Sequence, residues 1–383
     1  MSTGVIENSG EATVVVRTGV FKHQRLLSLD ALRGFDMFWI IGGERIFHSM
    51  AKATGAPVWR TLSEQFDHAE WHGFRAYDLI FPLFLFMAGV STPFSIGSEL
   101  EKGKSRQQLL WRIIRRGLIL VLLGIYCNNG LKIMPFSEFR IPSVLGRIGL
   151  AWMLANIIYL YARERTQVIW FSVILIGYWL LLKFTAAPGF AIGDLTMQGN
   201  FASYIDRLII PGKLYLDIHD PEGLVSTIPA ICTGMLGIYA GSILKSTRSP
   251  ETKTLWLAGI GAALIAAALL WHINFPINKN LWTSSFVLLT GGLSMVLLSL
   301  FYYIIDVLGY SKWAFFFKVI GVNSIMIYVS SRFINWDHAT NAFFRWVPQV
   351  AELYGPVLWA LGFLAVKWAF LYFMYRKKVF LRV

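Results

Sequence analysis

The segment Phe66-Asp-His-Ala-Glu-Trp-His-Gly-Phe-Arg-Ala-Tyr-Asp-Leu-Ile-Phe-Pro82 runs straight into an apolar stretch, and that junction decides the fold. No charged residue occurs from Leu79 to Ile96. A stretch of about 18 such residues is long enough, as a helix, to cross the hydrocarbon core of a bilayer. His68, Glu70, His72 and Asp78 precede or open it. A titratable group at the mouth of a membrane helix is placed for chemistry at the water boundary, so His68 heads the candidate residues.

Composition agrees with that reading. Of 383 residues 56% are hydrophobic, with 15 Trp and 29 Phe, and the mean hydropathy is +0.54. A large soluble all-α protein is excluded because too many apolar runs reach bilayer length. The expected class is an all-α polytopic membrane protein. A net charge of +13 does not call for nucleic acid, because basic cytoplasmic loops account for it. Cys127 and Cys232 both lie inside apolar runs, which gives neither a disulfide framework nor metal-ligand spacing.

Hydropathy predicts ten spans, at 31–48, 77–97, 109–127, 144–161, 167–184, 225–244, 255–273, 282–305, 313–333 and 355–375. One set of loop ends carries Arg17, Lys22 and Arg25, then Lys102, Lys104, Arg106, Arg112, Arg115 and Arg116. The same side receives Arg163 and Arg165, Lys245, Arg248 and Lys253, Lys312, and Arg376, Lys377, Lys378 and Arg382. The other side has scattered single charges such as Lys132, Arg207 and Arg345. Both termini are therefore expected in the cytoplasm. No cleavable signal pattern, low-complexity segment or internal repeat is evident. The expected organisation is a cytoplasmic segment 1–28 followed by one transmembrane domain, 29–383.

With that topology, His48, His68, His72, His219, His272 and His338 all fall at or beyond outer helix ends, and only His23 falls inside. An interfacial histidine is often just a satisfied surface side chain, but six on one side point to at least one in chemistry. No pair shows the spacing of helix-borne zinc ligands, and no metal is expected. The first span is also unusual. Asp30, Arg33, Asp36 and Glu44 fall within roughly a 120° arc of a regular helix. Charges inside a span cost about 2.5–3.5 kcal/mol each on insertion scales, so they face partners or a wet cavity. Asp30 and Arg33 read first as an internal ion pair. Glu44, near the outer end, reads as part of a site.

Two outer loops add a third constellation, Asp217-Ile-His-Asp-Pro-Glu-Gly223 and Phe275-Pro-Ile-Asn-Lys-Asn-Leu-Trp282. Asn278, Lys279 and Asn280 offer hydrogen-bonding groups beside the aromatic plate of Trp282, a combination that suits a sugar. The competing reading of Trp282 is an interfacial aromatic belt. Asn323 and Ser324 either line the same cavity or bond a neighbouring helix.

Together these residues resemble the heparan-alpha-glucosaminide N-acetyltransferase family. The resemblance runs through Leu29-Asp30-x-x-Arg33-Gly34, His68-Ala-x-Trp71-x-Gly73, Asp78-Leu-Ile-Phe-Pro82, Arg140-Ile-Pro142 with Arg147, Asp220-Pro-Glu-Gly223 and Pro276-x-Asn278-Lys-Asn-Leu-Trp282. Asn323-Ser-Ile is a weaker match. The resemblance implies a transmembrane transferase that takes an acetyl group from cytosolic acetyl-CoA and delivers it to an amino sugar across the membrane. His68 matches the family's active-site histidine. The implied assignments are His68, Asp78 and Glu44 for catalysis, Trp71, Glu222, Asn278, Lys279, Asn280 and Trp282 for the acceptor, and Asp30, Arg33 and Arg147 for the donor. Two features depart from the eukaryotic pattern: Glu44 stands where an active-site asparagine is expected, and His72 replaces an asparagine inside the histidine-tryptophan motif. An additional luminal region and an extra first span are missing, which implies a bacterial inner-membrane relative. The expected partners are acetyl-CoA, an amino sugar or amino-sugar oligosaccharide, the bilayer and, as one option, a second copy in a homodimer.

The chemistry fits the residues independently. An amine attacks a thioester only when deprotonated, and an imidazole with an ordinary pKa of about 6.5 is suited to take its proton. Such help is typically worth about 10²–10⁴ in rate. The same imidazole is able to carry the acetyl group transiently. Direct transfer is the expectation, because an acyl-imidazole facing water hydrolyses. The alternative from another class is an amino-sugar permease without catalysis.

Overall fold

The computed structural model describes residues 26–131 and 133–381, and within them it is helical throughout, with no strand. Almost all of the expected segment 1–28 lies outside the described residues, as do His23 and Lys132. The main helices are α1 (Leu27–Phe38), α2 (Glu44–Thr54), α3 (Pro57–Gln65), α4 (Ile80–Val90), α5 (Arg106–Asn129), α6 (Val144–Tyr161), α7 (Glu164–Phe184) and α8 (Phe201–Ile209). They continue as α9 (Leu224–Lys245), α10 (Pro250–His272), α11 (Ser284–Tyr302), α12 (Ala314–Gly321), α13 (Ser324–Ser330), α14 (Trp336–Phe344) and α15 (Gly355–Arg376). Their starts are written in the sequence. Ser105, Ser143, Asn200, Ser249, Thr283 and Asn335 each accept a hydrogen bond from a first-turn amide.

Seven helical stretches are long and apolar enough to cross a membrane: Ala76–Glu101, Val144–Tyr161, Glu164–Phe184, Leu224–Lys245, Pro250–His272, Ser284–Val307 and Glu352–Arg376. Each coincides with a span expected from hydropathy. The other three expected intervals are helical but differ in kind. Arg112, Arg115 and Arg116 crowd the first half of α5. The interval 31–48 is broken by a π-turn, Trp39–Gly43, in which Gly42 takes φ 128°. That break also interrupts the regular 100° register, so Glu44 does not continue the arc of Asp30, Arg33 and Asp36. The interval 313–333 is broken at Val322 and Asn323, between α12 and α13.

Burial sorts the helices into a centre and a rim. The most apolar windows of Leu224–Lys245 and Ser284–Val307 are 78% and 67% buried, whereas those of Glu164–Phe184 and Pro250–His272 are 22% and 17%. A helix that is apolar on all sides and central packs against protein, while a peripheral one offers its apolar surface to lipid. Small residues set the closest crossings. A Cβ on Gly89 or Gly237 would run into the carbonyl oxygens of Gly234 and Phe86, so α4 and α9 meet backbone to backbone. The broken helices cross the same way, with Gly34 of α1 against Phe317 and Gly321 of α12 against Asp30.

The loops gather at two ends. At one, Gly73 N–H donates to Ile277 O (2.8 Å), and Arg140 meets Asp220. At the other, Lys245 Nζ lies 2.8 Å from Glu101, and Ser28 N–H donates to Asp306 (3.2 Å). The first end holds His68 and the second the basic loops.

Candidate active site

Asp78 organises the His68 end. It sits in the 3₁₀ turn Ala76–Leu79 that opens α4, and its side chain is fully buried. Its carboxylate accepts from Arg75 N–H (3.0 Å), Ala69 N–H (3.4 Å) and His68 Nδ1 (2.8 Å). Those bonds fold residues 68–78 back onto the helix start. The Arg75 guanidinium closes the turn by donating to His68 O (3.2 Å). With Nδ1–H committed to Asp78, the lone pair of the imidazole resides on Nε2. Lys279 completes the cluster from the α10–α11 loop: its Nζ lies 2.8 Å and 3.0 Å from the two ring nitrogens and 3.4 Å from Asp78. Burial pushes the Lys279 ammonium below its ordinary range, against the opposing pull of Asp78 and Glu222.

The cluster opens onto a cavity of about 590 Å³, within the size range of small-molecule sites. Its polar end is lined by His68, Glu70, Lys279, Asn280, Arg140 and Glu222, and its apolar end by Met37, Phe84, Leu145 and Ile148. Arg140 spans the wall between α5 and α9. It donates to both oxygens of Asp220 (2.9 and 2.8 Å) and to Glu222 (2.5 Å), and lies over Tyr215. Burial raises Glu222 above the ordinary carboxyl range, and the charge of Asp220 adds to that shift.

His68, Asp78, Lys279, Asn280 and Glu222 thus converge. The other expected residues do not line the cavity. Trp282 is fully buried, packed edge-on against Phe81 at 4.9 Å, with its indole N–H on Thr233, so it is neither a belt residue nor an exposed sugar plate. Asn278 is fully buried; it accepts from Leu281 N–H and lies 3.2 Å from His72 Nδ1. Trp71 donates to Leu195 O and packs on His219. Arg147 is 2% exposed at the His68 end, bonded to Ser226 and Gly223 and stacked over Trp282. That places it far from the basic loops where a donor's phosphates are expected. Glu44 lies at the helix break, beside the bond from Lys367 Nζ to Ile41 O (2.8 Å). Asp30 pairs with Arg33 at 3.6 Å, as expected, near the opposite end.

Among the six outer histidines only His68 lines this cavity. His72 holds the Asn278 loop, and His272 Nδ1 accepts from Ile277 N–H (2.9 Å). His219, 1% exposed, shares a 2.7 Å bond with Ser203, and burial depresses its pKa to about 4. Three wall residues were not read from the sequence as site residues: Glu70, Asn128 and Arg332. Glu70 was findable, because it stands inside the His68 motif. Arg332 was not, since it follows the interrupted α13.

Residues 25–264 match the family described as heparan-alpha-glucosaminide N-acetyltransferase, catalytic. The Homo sapiens protein named heparan-alpha-glucosaminide N-acetyltransferase is 28% identical over 420 residues, covering 94% of this chain and 60% of that protein. The Mus musculus protein of the same name is 28% identical over 424 residues, again covering 94% and 60%. The chain thus spans about 60% of the length of these relatives. Matching the catalytic family over more than half its length, the chain belongs to the heparan-alpha-glucosaminide N-acetyltransferase family.

Proposed function

We propose that this protein is a multi-pass N-acetyltransferase of a bacterial inner membrane, which moves the acetyl group of cytosolic acetyl-CoA to the amine of an amino sugar outside. Ten helical spans with both termini in the cytoplasm form one domain over 29–383, and the His68 end faces outward. The single observation that carries the reading is the Asp78–His68–Lys279 cluster at the mouth of a cavity with one polar and one apolar end.

The acceptor amine approaches Nε2 of His68, displacing the Lys279 ammonium from it. As the amine nitrogen attacks the thioester carbonyl, Nε2 takes the amine proton, and buried Asp78 stabilises the imidazolium. The C–S bond then breaks, and the thiolate recovers a proton as free CoA. Lys279 is in place to donate to the developing oxyanion. Glu70, Glu222 and Asn280 offer acceptors and donors to sugar hydroxyls. Asn278, Trp71, Trp282 and Arg147 support those loops from behind. The test is a screen of amino sugars for CoA release, with His68→Ala as the control. Transfer by the wild type and its loss in the variant support the reading; undiminished turnover in the variant removes His68 from the chemistry.

The two broken helices favour a second reading, a permease, because interrupted helices beside a central site are a transporter feature. Uptake of labelled amino sugar without CoA release is the outcome that would select it.

A further inference from the structure

A second polar cluster lies deeper in the bundle, towards the basic loops. Arg33 of α1 donates through Nη2 to Ser91 Oγ (3.0 Å), at the end of α4. The Arg116 guanidinium of α5 lies 4.4 Å over the indole of Trp152 in α6, within electrostatic reach of Arg33 and Arg112. Arg112 is neutralised by Glu99 at 2.5 Å. Arg116 has no carboxylate partner among the described residues, and its Nε lacks a hydrogen-bond partner. Trp152 is 4% exposed, and its Nε1 is likewise unpartnered. Guanidinium groups gathered inside a helical bundle repel one another and lose hydration, unless an anion joins them.

We infer that Arg33 and Arg116, on the Trp152 platform, form a phosphate-binding site that takes the nucleotide end of the acyl donor. The inference rests on the acetyltransferase reading and gives it a length. The cluster lies one to two turns beyond the apolar end of the cavity on the same helices: Arg33 is one turn from Met37, Trp152 one turn from Ile148, and Ser91 two turns from Phe84. From Ser91 to Asp78 the chain advances 13 residues, or roughly 20 Å at about 1.5 Å per residue. An extended pantetheine arm has about 13 bonds between phosphorus and sulfur, which from standard bond lengths reach roughly 16 Å. An arginine side chain spans the remainder. Phosphates held at Arg33 and Arg116 therefore bring a thioester to His68, with the arm along Met37, Phe84 and Ile148. The guanidinium fork suits phosphate oxygens, and the unpartnered Nε atoms are donors with no other acceptor.

An anionic lipid headgroup offers the same phosphate chemistry, so the test separates the two sources. Full-length protein in nanodiscs is titrated with adenosine 3′,5′-bisphosphate, which needs no acetyl transfer to bind. Binding that acetyl-CoA competes away, weakened roughly tenfold to a hundredfold in Arg116→Gln and in Arg33→Gln, is expected from the loss of charge-assisted bonds. The same variants should raise the KM for acetyl-CoA and leave turnover of S-acetylpantetheine unchanged, whereas exposed Arg115→Gln should alter neither. Unchanged bisphosphate affinity in folded Arg116→Gln overturns the site. A loss confined to stabilisation by phosphatidylglycerol assigns it to lipid and overturns the nucleotide reading. Bisphosphate binding with no transfer to any amine leaves this site standing and removes the acetyltransferase reading instead.

Discussion

At the residue scale, function at the His68 end depends on a carboxylate that solvent does not reach. Asp78 orients the His68 loop and also fixes which ring nitrogen carries the proton. Asp78→Asn should therefore lower kcat by about 10²–10⁴ while leaving the KM for acetyl-CoA near its wild-type value, as steady-state kinetics will read. Neighbours in sequence separate in the same way. Asn280 lines the cavity and Trp282 is interior packing, so Asn280→Ala should raise the acceptor KM several-fold at unchanged stability. Trp282→Ala should cost about 3–5 kcal/mol of stability, visible as a large drop in melting temperature. Asp206 gives a pH signature. It is 1% exposed and accepts from Leu224 N–H at the start of α9, and burial raises its pKa to about 6. Between the unfolded value near about 3.9 and that value the folded state binds the extra proton, so stability falls as pH rises from about 4 to 6. Asp206→Asn should flatten that fall, by at most about 3 kcal/mol, in thermal melts across this window. His68 and Asp78 were legible because adjacent sequence carries both. The inward burial of Trp282 and Asn278 was not, because it depends on how distant loops stack.

At the element scale, the apolar runs announced seven crossing helices and the helical character of the other three intervals. Periodicity alone did not reveal the two breaks. A window average over 31–48 or 313–333 stays apolar across an interruption, although the Gly42-Gly43 pair was a local signal for the first. The reading of Glu44 as part of one charged arc failed for the same reason, since a π-turn shifts everything that follows it. The two broken helices cross through Gly34 and Gly321, where backbone meets backbone. Gly321→Val should force that crossing apart and lower the melting temperature by several degrees. The same change at Gly177, which has nothing within 4 Å of a built Cβ, should have little effect.

At the scale of the whole molecule, loop charge and the proposed chemistry assign opposite faces to donor and acceptor. In sealed, oriented vesicles, acetyl-CoA supplied on the basic-loop side should acetylate only acceptor on the other side. Product on the donor side would reverse the assignment. That asymmetry was legible from lysine and arginine counts, whereas the cavity was not, because its walls come from helices spread along the chain from Met37 to Arg332. The break in the first span has a further consequence. Its exposed Ile41 carbonyl accepts from Lys367 Nζ in the last helix, 326 residues later. At about 5–20 residues per second of synthesis, roughly 15–65 s separate the two partners at the ribosome. Throughout that interval the first helix is in the bilayer with its kink uncapped. The nascent protein must therefore either keep that helix straight or shelter it beside the insertion machinery, and the final segment to emerge from the ribosome sets the geometry of the first.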